Sequence, residues 1–178
     1  MIHIITPCHR PENLDTIKQS IPESCNWIVV YDKIMEDHPD IDGAVVMRSG
    51  MTGAFGAHNR NHALEKYPFK DEDWVAFMDS DNIVHPEWYE SVKSHLDKDF
   101  AMITWGQIVK NGDIRLIPVT NPQVGNIDSA SYIVKWKYAK QFRWSENYTH
   151  DGEYAEDVSK LGPVLALNKY IAYYNYIE

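Results

Sequence analysis

An α/β fold, with a mainly parallel central sheet flanked by helices, is what this 178-residue sequence predicts. Three observations predict it. Short continuous apolar runs alternate with helical patterns through the first half, as strands covered on both faces require. Each run ends on polar or glycine residues. A single Asn111-Gly112 step between two apolar stretches adds a small antiparallel ribbon in the second half.

The elements follow in order. Ile2 to Thr6 reads as the first strand and Pro7 to Asn13 as a loop. Leu14, Ile17 and Ile21 make an i, i+3, i+7 stripe behind Asn13, which suits an N-cap. Trp27 to Asp32 is the second strand and Ala44 to Met47 the third. A helix from Phe55 to Tyr67 ends before Pro68. The fourth strand opens at Trp74 and runs straight into Asp79-Ser80-Asp81. Pro86 takes the first position of the next helix, with Tyr89, Val92 and Leu96 as its buried stripe. Ala101 to Val109 and Ile114 to Val119 flank the Asn-Gly turn. A helix from Asp151 to Leu161 is stopped by Gly162-Pro163, and a Tyr-rich strand from Tyr170 to Ile177 completes the sheet.

Composition narrows the function. A single domain over residues 1–178 is expected, long enough to bury a core without staples. A formal charge of −9 argues against nucleic acid as a partner, and an anionic ligand would need a cation or local basic groups. The apolar runs are strand-sized, so no membrane span is expected. Ile2-His3-Ile4-Ile5 follows the first residue at once, so no signal peptide is expected. Cys8 and Cys25 make neither a disulfide framework nor a zinc cluster, which fits a reducing, cytoplasmic setting.

In an open parallel sheet, ligands bind beyond the carboxyl ends of the strands. Those ends carry Thr6-Pro7-Cys8-His9-Arg10, then Asp32, then Arg48-Ser49-Gly50, then Asp79-Ser80-Asp81. Two hard carboxylates at one strand exit suit Mg²⁺ or Mn²⁺, an ion that bridges to phosphate oxygens. Asp and Ser are also ordinary residues of a polar turn. Gly50, Gly53 and Gly56 give a flexible entry to the second helix, where the planar fork of Arg60 could reach a phosphate or a base edge. His58 and His62 stand at a zinc-compatible spacing with no Glu or Cys to complete a site. On the late helix, Asp157 lies about 60° from the centre of the Tyr154, Val158, Leu161 stripe, and Glu156 lies nearly opposite it. Asp157 is therefore expected at the protein border, where partial burial raises a carboxylate towards the pKa of a general base. An ordinary solvated acidic face accounts for the same spacing.

Taken in order, Ile4-Ile5-Thr6-Pro7, Asp32, Gly56 to Leu64 with Arg60-Asn61, Asp79-Ser80-Asp81 and Glu156-Asp157 resemble glycosyltransferase family 2, with its GT-A fold. The resemblance covers most of the chain. It implies transfer of a sugar from a nucleotide-diphosphate donor, usually a UDP-sugar, to a hydroxyl of a glycan, lipid or small-molecule acceptor. It implies that Thr6, Pro7, Arg10, Asp32, Arg60, Asp79 and Ser80 hold the nucleotide. Asp81, with Asp79, would hold Mn²⁺ or Mg²⁺. Asp157 would be the catalytic base beside Glu156, with Asp128 of Gly125-Asn126-Ile127-Asp128 on the acceptor side. Residues 1–98 would form a nucleotide-binding half and 99–178 a metal and acceptor half. Inversion is expected; a retaining transferase, a sugar-nucleotide pyrophosphorylase and a non-catalytic nucleotide-sugar-binding module are the alternatives. The pyrophosphorylase's glycine-rich basic loop after the first strand has no counterpart in Thr6-Pro7-Cys8-His9-Arg10. Lys33 and Ile34 stand where the family often carries further Asp residues. Gln141-Phe142-Arg143-Trp144 resembles a processive-synthase signature but precedes the Glu-Asp pair and is one residue short in spacing. Trp105, Trp136, Trp144 and Tyr174 suit packing as well as sugar stacking.

Overall fold

The computed structural model describes residues 1–35 and 37–177. Its strands are β1 Ile2–Cys8, β2 Cys25–Tyr31, β3 Val45–Arg48, β4 Trp74–Phe77, β5 Met102–Val109, β6 Ile114–Leu116, β7 Tyr132–Lys135 and β8 Val164–Tyr174. Its helices are α1 Leu14–Ser20, α2 Ala57–Lys66, α3 Trp88–Lys93, α4 Trp136–Ala139 and α5 His150–Ser159.

The apolar runs become strands because both of their faces are covered. Every residue of β1 and β4 is buried. Along β2, Trp27, Val29 and Tyr31 enter one layer with Leu14 and Ile17 of α1 and Trp88 and Val92 of α3. Ile28 and Val30 point the other way, onto Ala57, Ala63 and Leu64 of α2 and Tyr154, Ala155 and Val158 of α5. The period of two along a strand produces this split. Each such side chain withdrawn from water contributes about 1.5–3 kcal/mol.

One sheet carries the whole chain, in the order β3-β2-β1-β4-β7-β5-β6 with β8 on β5. β1, β2, β3 and β4 run parallel. β7 is antiparallel to β4 and to β5. β5 meets β7 at Met102–Thr104 and β6 at Gln107–Ile108, and β8 lies parallel along its length. A strand has two edges, so β6 continues the edge that β7 leaves and β8 takes the other. This topology places the site. The four parallel strands deliver their carboxyl ends to one rim, with Cys8 beside Tyr31, Tyr31 beside Arg48 and Ile5 beside Phe77. Because β7 runs backwards beside β4, the residues leading into it reach that same rim.

Several expectations shift. β1 continues through Pro7 and Cys8; its pairing with β4 ends at Ile5, so the missing N–H of Pro7 breaks no ladder on that side. Asn13 makes no capping bond; its amide donates instead to the carbonyl of Ser80, 2.8 Å away. The helix expected from Pro86 is confined to Trp88–Lys93. α5 ends at Ser159, leaving Leu161 40% exposed and outside the buried stripe. The final strand begins at Val164 instead of Tyr170. β7 and α4 were not legible as separate elements. No helix of the described residues is long and apolar enough to cross a membrane.

Candidate functional site

Two cavities open at the rim and meet at Phe55 and Asp79, which line both. The smaller, about 180 Å³, is walled by Pro7, His9, Arg10, Ser80 and Asp81. The larger, about 280 Å³, is reached by Arg60, Arg115, Asp128, Ser129, His150 and Asp151. Both halves of the chain therefore build one two-lobed cleft.

The strand exits hold the smaller lobe. Asp81 accepts from Arg10 Nη1 at 2.8 Å and from Asn82 Nδ2 at 3.1 Å. Burial, and then the charge of Asp79, raise its pKa above the usual carboxylate value, against the pull of Arg10. The Asp-Ser-Asp turn is pinned from several directions. Asn13 donates to the Ser80 carbonyl, and Ser80 Oγ accepts from the backbone N–H of His9 at 3.3 Å. The N–H of Ile177 donates to the Asp81 carbonyl at 2.8 Å, and that of Tyr176 donates to Asn82 Oδ1 at 3.2 Å. Among the described residues no third His, Cys, Asp or Glu joins the pair into a ready metal cage. Two mutually repelling carboxylates lining one lobe are nonetheless the hard-oxygen donor set that would suit a divalent ion.

Arg60 of α2 is 1% exposed. Its guanidinium donates to the Phe55 carbonyl at 3.0 Å, pairs closely with Asp79 and lies 4.4 Å from the centre of the Trp144 ring. It thereby fixes Asp79, whose other oxygen accepts from Ser129 Oγ at 3.4 Å. Trp144 is a core residue fixed by reciprocal bonds with Asn61 and stacked on Tyr154, so the synthase-like segment serves packing. Between Gly53 and Gly56 four consecutive residues have positive φ, including Ala54 and Phe55. A left-handed conformation costs a non-glycine residue about 1–2 kcal/mol. It lifts the Phe55 ring, 62% exposed, over the wall between the lobes, edge-on to Tyr148 at 5.3 Å.

In the larger lobe the acidic groups are Asp79, Asp128 and Asp151. Asp128 accepts from Arg115 at 2.9 Å and from the N–H of Ala130 at 3.1 Å. Asp151 sits in the first turn of α5, where its Oδ1 accepts the N–H of Gly152 at 2.8 Å. Burial, then the charge of Asp128, push its carboxyl up to about 6. The neighbouring His150 is pushed down to about 4 by burial and by Arg60, so it is neutral at pH 7. Glu153, bonded to Ser145, Asn147 and Thr149, holds the loop that carries Tyr148.

The structure does not bring every expected residue to the cleft. Asp157 and Glu156 line neither lobe; both are clasped by Lys160, at 3.0 and 3.3 Å, on the outer surface. The reason is depth along the helix: α5 presents its first turn to the cleft, and Asp157 lies about 9 Å further along the axis than Asp151. The azimuth alone could not reveal this. Thr6 is fully buried, its hydroxyl accepting from Trp27 Nε1 at 2.9 Å. Cys8 is likewise buried, its thiol pushed up to about 12 by desolvation. Asp32 is 4% exposed behind His9. Among the described residues His58 pairs only with Glu146, at 3.9 Å. Asp151 was missed although a signal existed: a carboxylate at the very start of a helix, directly before a glycine.

The sequence profile described as Glycosyl transferase family 2 matches residues 32–154. No curated protein matches the chain. Among solved structures, S. aureus TarS 1-349 superposes with a TM-score of 0.74 at 17% identity, over 97% of this chain and 59% of that one. The chain thus spans under two thirds of that relative. Francisella tularensis 2-C-methyl-D-erythritol 4-phosphate cytidylyltransferase gives 0.54 at 12% identity, over 96% of this chain and 93% of that one. UTP-bound UGPase from Acinetobacter baumannii gives 0.53 at 9%, over 96% and 86%. At such identities the likeness is one of fold, and the fold is of the GT-A type.

Proposed function

The chain belongs to glycosyl transferase family 2, and from that membership we propose that it moves a sugar from a UDP-sugar to an acceptor hydroxyl with inversion, using Asp151 as the base. One observation carries the reading. A carboxyl with its pKa raised to about 6 stands in one lobe, while the paired carboxylates Asp79 and Asp81 face the other. The two lobes join at Asp79. On this reading a hydroxyl held by Asp151 would approach from the lobe opposite the diphosphate, the arrangement that inversion demands.

Each residue then has a role. Asp151 takes the acceptor proton as the hydroxyl attacks the anomeric carbon, and a pKa near the working pH suits that task. Burial, and then the charge of Asp128, keep that pKa high, and Asp128 is itself held by Arg115. Arg60 orients Asp79, and Arg10 lies where it can meet the diphosphate. Asp81 and Asp79 would hold Mn²⁺ or Mg²⁺, which neutralises the departing diphosphate when bound. The acceptor is a hydroxyl on a glycan, lipid or small molecule. A pyrophosphorylase is less favoured, because β1 leads into Arg10 and a short turn at Pro11–Asn13 with no glycine-rich loop to wrap phosphates.

A pair of substitutions tests the base. Asp151→Asn should lower turnover with UDP-sugars about 10²–10⁴-fold while UDP affinity with Mn²⁺ stays within about twofold. Asp157→Asn should transfer sugar at the wild-type rate. The reverse pattern would return the base to Asp157.

A further inference from the structure

Asp32 closes β2 at the place where a carboxylate is expected to meet the base. Both its oxygens are already used. Oδ1 accepts the N–H groups of Ile34 and Met35 at 3.0 and 3.2 Å, and Oδ2 lies 2.8 Å from His9 Nδ1. The group that faces the smaller lobe is His9, with 41% of its side chain exposed and its backbone N–H tied to Ser80. A carboxylate only accepts, so the proton of this contact sits on Nδ1. In the neutral ring Nε2 is then left as a lone pair, and no protein group of the described residues takes it. A buried carboxylate that fixes a histidine tautomer in this way sets what the outer nitrogen can recognise.

Resting on the nucleotide-sugar reading above, we propose that His9, oriented by Asp32, reads the nucleobase by accepting a ring N–H. The lobe thereby selects uracil, which carries a hydrogen on N3, over cytosine, which carries a lone pair there. A lone pair repels phosphate oxygens, and on that reading Arg10 and a cation on Asp79 and Asp81, which line the same lobe, take the diphosphate. Asp32 is a positioning residue that acts through His9.

Calorimetric titration of UDP, CDP and N3-methyl-UDP with Mn²⁺ tests this. Wild type should bind UDP about tenfold more tightly than either of the others, the worth of one hydrogen bond and its unpaired counterpart. His9→Ala should bring all three within about twofold of one another. Asp32→Asn, whose amide can donate to Nδ1 and leave the proton on Nε2, should shift the UDP-to-CDP ratio towards CDP. The ratio within one variant is insensitive to the fraction folded. An unchanged ratio in His9→Ala would overturn the proposal, as would an equal weakening of all three ligands, which would mean a ribose contact. Either result leaves the transferase reading standing. Binding of none of the three by wild type would overturn both.

Discussion

Asp151 and Asp157 are the same residue type on the same helix, and only Asp151 lines the cleft. Burial and the charge of Asp128 hold Asp151 near 6, whereas Asp157 is spent on Lys160 at the surface. The pH consequence follows from the sign of that shift. A base must be ionised, so kcat/KM should rise with pH through about 6, and the limb should vanish in Asp151→Asn. Stability should move the other way. Below about 3.8 the group is neutral in both folded and unfolded chains. Between about 3.8 and 6 the unfolded chain ionises first, so stability falls as pH rises across that window and is level above it. Asp151→Asn should therefore be as stable as wild type at pH 5 or more so, and at pH 7.5 more stable by on the order of 1–2 kcal/mol, as urea titrations would measure. A drop in stability at pH 7.5 would contradict the burial argument. At this scale the sequence was informative about residue type but less so about placement. Asp79 and Asp81 were legible because they end an apolar strand. Asp32 was legible as well, but the His9 covering it required a contact across 23 positions.

The first turn of α5 is the element on which the larger lobe depends. It packs so tightly that a Cβ on Gly152 would fall 2.6 Å from the Cα of Val124. Gly152→Ala should push the turn off the Val124 strap, cost about 1–3 kcal/mol and displace Asp151. Thermal melting and turnover should both fall, with UDP affinity in the other lobe nearly unchanged. The parallel strands were readable because each is buried on both faces and so appears as an unbroken apolar run. β7 was not, for it is only Tyr132–Lys135 and is followed at once by α4, with no turn residues to separate them. Missing β7 had a cost, since its antiparallel course is what brings Asp128 and Ser129 to Asp79. The Asn111-Gly112 turn was read correctly, with Ile108 paired to Ile114 across it.

Across the whole molecule the cleft draws on the exits of β1 and β4, the ends of β6 and β8, the approach to β7 and the start of α5. A ligand that touches all of them stabilises the folded chain as a unit. UDP with Mn²⁺ at about 100 times its Kd should add about 2.7 kcal/mol, read as a thermal shift, and Asp81→Ala should lose most of the metal-dependent part. A full shift in Asp81→Ala would remove that carboxylate from the donor site. The net charge of −9 is a reason to expect this dependence, because a diphosphate entering so acidic a protein needs cations beside it. Finally, Tyr176 and Ile177 hydrogen-bond to Asn82 and Asp81, and this bears on biosynthesis. A ribosome tunnel hides the most recently made stretch of polypeptide, so the Asp-Ser-Asp turn emerges long before the segment that clamps it. That turn should therefore stay unclamped on the nascent chain until residues 176 and 177 have cleared the exit.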